Sequence, residues 1–413
     1  MQPPYSPQTA PSPGLPAYDV VVVGAGAVGA AAAYALARRG ARVLLLEQEQ
    51  VGHARGSSHG GSRIFRYTHP SIAEAAIMPA MAALWRELEA EAGESLLEMC
   101  GGLFIARPDD LFLVNAMAAL EALEIPFERL DATDMARRYP QFRLRDDEIA
   151  LFQPRSGILA ASRAVAAMVR AAQRAGATLC TDVRVHAIAP NQGGVTLTVS
   201  DKGHTQQISV GRVVIAAGPW AKQLLAPLLP NPLTLNVTHQ QVAYYRANQL
   251  QQWSTQRAPI YIFSEEPHLY GFPIFERPGY IKVALELLDT VVDPDQPRTV
   301  RTAEIEALSA TVATRLAGID PEPANVELCL YTETPERAFL IDRHPEHPQI
   351  VFAAGMSGRG FKFAIGLGQL LAHLATTPSG AYEHPFWLPQ FSLNNHARGA
   401  TAAQPAVAIP RDL

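Results

Sequence analysis

Apolar residues dominate positions 18–48, YDVVVVGAGAVGAAAAYALARRGARVLLLEQ, in the order expected of a buried strand, a glycine turn, an Ala-rich helix and a second buried strand. Gly40 closes the helix, so the segment reads as one βαβ unit. Between Ala76 and Ala92, the residues Ile77, Met81, Leu84, Trp85 and Leu88 recur at helical spacing and predict an amphipathic helix. SRAVAAMVRAAQRAG predicts another helix, with Ser162 as N-cap and Gly176 just past its end, and ATLCTDVRVHAI after it predicts a strand. Two further buried strands fall in RVVIAAG, ending at Gly218, and QIVFAAG, ending at Gly355; the second leads into a helix rich in small residues. Strands buried on both faces thus recur at the start, middle and end of the chain, which predicts one sheet built from distant segments. Between them, roughly within residues 90–150 and 231–324, alternating patterns such as PHLYGFPIF and GYIKVALEL predict an antiparallel sheet with one face exposed.

Composition narrows the partners. With 413 residues, 48% of them hydrophobic, the chain can bury a sizeable core in about two to three domains. A net charge of -5 without clustered Lys and Arg gives no footprint for nucleic acid or an anionic membrane, leaving a small molecule as the expected partner. Cys100, Cys180 and Cys329 are too few and odd in number for a disulfide framework and suit a reducing cytoplasm. The uncharged stretch Val20 to Ala37 is long enough to suggest a membrane span, but its glycines fall at turn spacing and no basic segment precedes it. Residues 1–17 read as a disordered Pro-rich arm and residues 385–413 as a loose C-terminal tail. No internal repeat is evident, and no metal site is expected.

The chemistry begins at Gly24-Ala25-Gly26-Ala27-Val28-Gly29, a G-x-G-x-x-G turn placed directly after a strand and opening a helix. Gly24 permits the tight turn, Gly26 lets a pyrophosphate approach the helix N-terminus, and Gly29 allows close helix–strand packing. Glu47, ending the next strand, is placed to accept hydrogen bonds from ribose hydroxyls. The motif alone does not separate FAD from NAD. The segment GSSHGGSRIFRYTHP stands where a nicotinamide domain would continue with a helix and a strand, and so favours FAD.

That segment is similar to the G-S-x-H-G-x-x-R-x-x-R stretch of monomeric sarcosine oxidases and N-methyltryptophan oxidases. The resemblance continues through FQPRSGILA, VVIAAGPWAKQLL, CLYTETPERAFLIDRHPEH and AAGMSGRGFKFAIGLGQLLA, and so spans nearly the whole ordered chain. It implies that His59 and Arg63 lie near the flavin, that Arg66 and Lys362 contact a substrate carboxylate, and that Tyr270 and Tyr331 line the substrate cavity. It also implies that Cys329 carries FAD through a thioether at the 8α-carbon, that Gly218, Gly358 and Gly360 lie at the cofactor, and that Lys282 activates oxygen. Two positions depart from the family pattern: Glu286 stands where it often has a histidine four residues after the lysine, and Arg359 replaces the histidine of Ser-Gly-His-Gly.

The expected fold class is α/β plus α+β. A discontinuous Rossmann-like FAD-binding domain (18–89, 150–230 and 325–384) would carry a second, antiparallel-sheet substrate domain (90–149 and 231–324). The implied activity is that of an FAD-dependent amine oxidase acting on CH-NH bonds. A secondary amine bearing a carboxylate, such as sarcosine, would give an imine that is then hydrolysed, with oxygen reduced to hydrogen peroxide by a monomeric enzyme. The alternative is dehydrogenation of a cyclic imino acid or a biosynthetic amine by the same chemistry. An NADPH-dependent aromatic hydroxylase would need a late Gly-Asp motif, which LIDRHPEHPQIVFAAG lacks. A non-catalytic nucleotide-binding protein would leave Cys329, Lys282 and Lys362 without a role.

Overall fold

The computed structural model describes residues 18–397 except 230, 232, 379 and 381. The Pro-rich arm and the last part of the C-terminal segment therefore lie outside the described residues.

A six-stranded sheet gathers the distant apolar strands in the order Leu340–Arg343, Ile350–Ala354, Arg212–Ile215, Val20–Val23, Val43–Leu46 and Thr178–Cys180. Its neighbours are parallel except for Leu340–Arg343, which runs antiparallel to Ile350–Ala354. Alternate side chains of the central strands enter two different cores, which is why Val20–Val23 and Val43–Leu46 carry no polar positions. Val20, Val22, Val43 and Leu45 pack beneath the helices Ala27–Arg38, Met78–Ala92, Ala161–Arg174 and Ala364–Thr376. Val21, Val23, Leu44 and Leu46 pack against an antiparallel meander, Val183–Asn191, Gly194–Asp201 and His204–Val210.

The second layer is an eight-stranded sheet that begins with the 15-residue strand Ile319–Glu333 and continues through Asn236–Ala247, Tyr280–Leu285, Leu269–Phe272 and Ile260–Phe263. Gly102–Ala106 then pairs in parallel with Ile260–Phe263, and Ile149–Gln153 and Glu128–Leu130 complete the sheet. Here the exposed face expected from the alternation is absent. Asn236–Ala247 and Tyr280–Leu285 are buried almost throughout, because the helix Thr302–Arg315 covers one face and the other closes on a cavity facing the first layer.

Local details differ from the sequence reading in three places. The helix expected to start at Ser162 runs Ala161–Arg174 with Ala160 as its N-cap, and the Ser162 hydroxyl instead donates to the Gly60 carbonyl (2.8 Å). The strand expected in ATLCTDVRVHAI breaks at Asp182, which takes a positive φ of 61° and sends the chain from the sheet into the meander. Residues 385–397 are packed and not a loose tail: Phe386, Leu388 and Phe391 join the core, and Asp342 accepts from Ser392 Oγ (3.0 Å) and Leu393 N–H (2.9 Å). The Ala/Pro-rich composition that suggested looseness belongs to the residues beyond them. Among the described residues no helix is long and apolar enough to cross a membrane.

Candidate active site

The glycine turn opens a cleft along the carboxyl ends of the parallel strands. Gly24 has φ 99°, and a Cβ there would stand 2.5 Å from the Ala216 carbonyl oxygen; a Cβ on Gly29 would stand 1.8 Å from that of Gly24. Both positions are closed to any side chain, so the first turn of Ala27–Arg38 rests directly on the sheet. That helix has no acidic residue in its first turn, which leaves its positive end free to attract an anion. Glu47 is buried on the floor, accepting from the N–H groups of Ala25 (2.8 Å) and Glu49 (3.0 Å), and burial raises its pKa. A phosphate cradle with a carboxylate one strand away fits a dinucleotide.

Walls that the motif did not announce complete this cleft. Ser57 and Ser58 line it from the loop after the second strand, and Val183, Arg184 and Trp220 from the opposite side. A segment of the second layer straps them down. Asp295 accepts from Trp220 Nε1 (2.9 Å), Arg184 (3.0 Å) and Gln223 (3.2 Å), while Arg298 donates to the carbonyls of Arg55 (2.9 Å) and Ala54 (3.1 Å). Nothing in the local sequence around Asp295 signals this, since its partners lie far along the chain.

Toward its other end the cleft is lined by Gly218, Gly358, Gly360, His59, Arg63, Tyr331 and Phe361. His59, Arg63, Tyr331, Gly358 and Phe361 also line a second cavity, so the two spaces share a wall. Arg63 is fixed by donating to the carbonyls of Ser57 (2.9 Å), His59 (2.7 Å) and Ser62 (2.7 Å), with Cys329 Sγ 3.9 Å away. Cys329 is a buried free thiol on Ile319–Glu333, in register with Gln240 of the neighbouring strand. Burial, and then Arg63, push the pKa of His59 down to about 4, and its buried Nδ1 has no hydrogen-bond partner. A neutral histidine with an open ring nitrogen, a fixed guanidinium and a close-approach glycine pair suit a polar aromatic ring system such as a flavin.

The second cavity collects the remaining sequence-named residues, Arg66, Tyr270, Lys282, Cys329 and Lys362, with Tyr331 on the shared side. Arg66 donates to the Thr68 carbonyl (2.7 Å) and lies over the Phe112 ring; burial and then Arg359 pull its pKa down to about 10. Lys362 is 4% exposed and donates to the Arg359 carbonyl (2.8 Å); burial, Arg66 and Arg359 push its pKa well down. Among the described residues, neither forms an ion pair; Arg63 forms none either but is held by three backbone carbonyls, and three further cations of the cavity are paired. Arg359 pairs with Glu74 (2.9 Å), Arg337 with Glu286 (2.6 Å) and Lys282 with Glu276 (3.3 Å). Lys282 also donates to Ser62 Oγ (3.2 Å), and burial lowers its pKa against the pull of Glu276. The hydroxyls of Tyr270 and Tyr331 meet at 3.1 Å, and burial raises both pKa values, that of Tyr270 to about 12.

Glu74, His69, His268 and Arg337 escaped the sequence reading. Ser71-Ile72-Ala73-Glu74 looks like an ordinary helix cap, and Ser71 Oγ does accept from the Glu74 N–H (3.4 Å). The Glu74 side chain instead turns inward, 2.9 Å from Arg359 and 3.2 Å from His69 Nδ1.

A Rossmann-type dinucleotide cleft that shares a wall with a buried cationic cavity is the layout of a flavin-dependent oxidoreductase. The chain belongs to the family of FAD dependent oxidoreductases, whose pattern matches residues 19–374. It is 34% identical over 383 residues to monomeric sarcosine oxidase of Streptomyces avermitilis, covering 90% of this chain and 97% of that enzyme. Peroxisomal sarcosine oxidase of Homo sapiens is also 34% identical, over 91% of this chain and 96% of that one. Among solved structures, the open form of NikD, an unusual amino acid oxidase essential for nikkomycin biosynthesis, superposes with a TM-score of 0.80 at 29% identity, over 92% of this chain and 98% of that one.

Proposed function

We propose that this enzyme oxidises a secondary amine bearing a carboxylate, with N-methyl amino acids such as sarcosine as first candidates, to an imine that water hydrolyses to a primary amine and an aldehyde. The observation that carries this reading is the pair of cations without carboxylate partners, half-buried Arg66 and buried Lys362, in the cavity that borders the dinucleotide cleft. Such uncompensated charges are unfavourable unless a ligand anion completes them. The similarity to sarcosine oxidases and to NikD supports an amino acid-like amine.

Bound FAD would supply a two-electron acceptor for the C–H next to nitrogen and return both electrons to oxygen as hydrogen peroxide. Gly24, Gly26, Gly29 and Glu47 would hold its dinucleotide part, and Cys329 would bond to its 8α-carbon. Arg66 and Lys362 fix the carboxylate and so orient the amine, a proximity effect that can supply several kcal/mol. The surrounding positive charge disfavours a bound ammonium, so the amine reacts neutral and its proton leaves to solvent. Lys282 keeps a cation where oxygen takes up negative charge, an electrostatic contribution that does not require proton transfer. The similarity to monomeric sarcosine oxidase supports action as a monomer.

Anaerobic mixing of the purified yellow protein with a panel of N-methyl amino acids and cyclic imino acids tests the reading. Bleaching of flavin absorbance by an N-methyl amino acid, reversed by air, is the expected result. Bleaching by cyclic imino acids alone would replace the substrate class, and intact flavin that no member bleaches would remove the proposal. Flavin that stays with acid-precipitated wild-type protein but leaves Cys329→Ser is the expected sign of the thioether.

A further inference from the structure

The ion pair of Glu286 and Arg337 stands on the wall of the substrate cavity and has no part in the chemistry of amine oxidation or oxygen reduction. Glu286 directly succeeds the strand Tyr280–Leu285, and its N–H donates to the His268 carbonyl (2.9 Å). Arg337 sits in the turn after Ile319–Glu333, brought inward by a positive φ of 54°. Its Nη2 lies 2.6 Å from Glu286 Oε1, 3.7 Å from Glu333 Oε1 and 3.5 Å from the Ser357 carbonyl. His268 Nδ1 approaches the other Glu286 oxygen at 3.4 Å. Although burial opposes it, His268 and Arg337 hold the Glu286 pKa down at about 2, so the carboxylate is ionised under working conditions.

Two charged regions of the cavity are therefore in opposite states. At Arg66 and Lys362 the protein supplies cations and awaits an anion. At Arg337 the anion is already built in, as the side chain of Glu286. A ligand carboxylate reaching the second region would find the guanidinium already engaged and would meet a like charge in a wall of low dielectric, which weakens its binding.

We propose that Glu286, held by Arg337, is a specificity-determining residue that confines the enzyme to amines with a single carboxylate and rejects those with a second. This inference rests on the amine-oxidation reading.

Its test is equilibrium binding of two thioethers that lack the reacting nitrogen, (methylthio)acetate with one carboxylate and thiodiacetate with two, read from perturbation of the flavin spectrum of the holoenzyme. Wild type is expected to bind the monocarboxylate at least about ten-fold more tightly, ten-fold being about 1.4 kcal/mol. Glu286→Gln is expected to shrink that ratio by about ten-fold, mainly by tightening thiodiacetate. Arg337→Gln leaves Glu286 less compensated and is expected to widen the ratio, so a single folded variant of the two suffices. A ratio that stays at its wild-type value in either variant overturns the specificity role while leaving amine oxidation standing. If neither thioether perturbs the flavin and no amine bleaches it, the functional reading fails and this inference fails with it.

Discussion

Lys362 and Lys282 are both buried lysines with depressed pKa values, yet the proposed function gives them parts in different half-reactions. Lys362 has a backbone carbonyl and two neighbouring guanidinium groups for company, so what it lacks is an anion; Lys282 already has Glu276. Truncating one member of a buried charged contact costs about 2–5 kcal/mol, so Lys362→Ala should lower kcat/KM of flavin reduction by roughly 10²-fold or more. Lys282→Met should instead slow reoxidation by oxygen far more than reduction. Stopped-flow measurement of the two half-reactions separates them, and equal losses in both for Lys282→Met would count against its role. The pH dependence has a definite sign. Because the free-enzyme pKa of Lys362 is lowered, raising the pH discharges it before an ordinary lysine, and KM for a carboxylate substrate should climb on the alkaline side. Lys362→Arg should move that climb to higher pH. His59, with a pKa of about 4, is neutral throughout the range and contributes nothing to it.

At the scale of the element, the strand–turn–helix at the start is the part of the molecule most sensitive to a single atom. Gly29→Ala would place a methyl group 1.8 Å from the Gly24 carbonyl oxygen, so the helix must lift off the sheet and the phosphate cradle open. The expected outcome is purified protein with little bound flavin, measured as the ratio of visible to ultraviolet absorbance; full flavin content would contradict the role given to this glycine. This turn was legible in the sequence because its whole logic lies within about 30 residues. The eight-stranded sheet was legible only as a tendency to alternate. Its parallel join between Ile260–Phe263 and Gly102–Ala106 brings together segments more than a hundred positions apart, which no local pattern records. Residues of the site divide in the same way. Arg66, Lys282 and Lys362 stand in segments that resemble a known family, whereas Glu74 was hidden behind its look of a helix cap. Arg337 was hidden because its direction depends on a backbone turn and its meaning on Glu286, which lies beyond the end of another strand.

For the whole molecule, the charged network behind the cavity ties activity to acid stability. Glu74 has a pKa of about 2 against an ordinary 4.5: burial opposes ionisation, but the approach of His69 (3.2 Å) and the charge of Arg359 prevail. A folded-state pKa below the unfolded one contributes stability that is complete above the ordinary value and is lost as the pH falls toward the folded value. Thermal melting points should thus drop between about pH 4.5 and pH 2, and Glu74→Gln should flatten this part of the curve. An unchanged slope in that variant would mean that other carboxylates govern the acid limb. The two unpartnered cations have a converse effect that reaches beyond catalysis. On the proposed reading they are a standing deficit in the folding free energy, which a small monocarboxylate would offset. By mass action a ligand at 100 times its dissociation constant adds about 2.7 kcal/mol to the folded state. Acetate or formate in a storage buffer would then act both as stabiliser and as competitive inhibitor, so that the conditions in which this protein lasts best are those in which it works least.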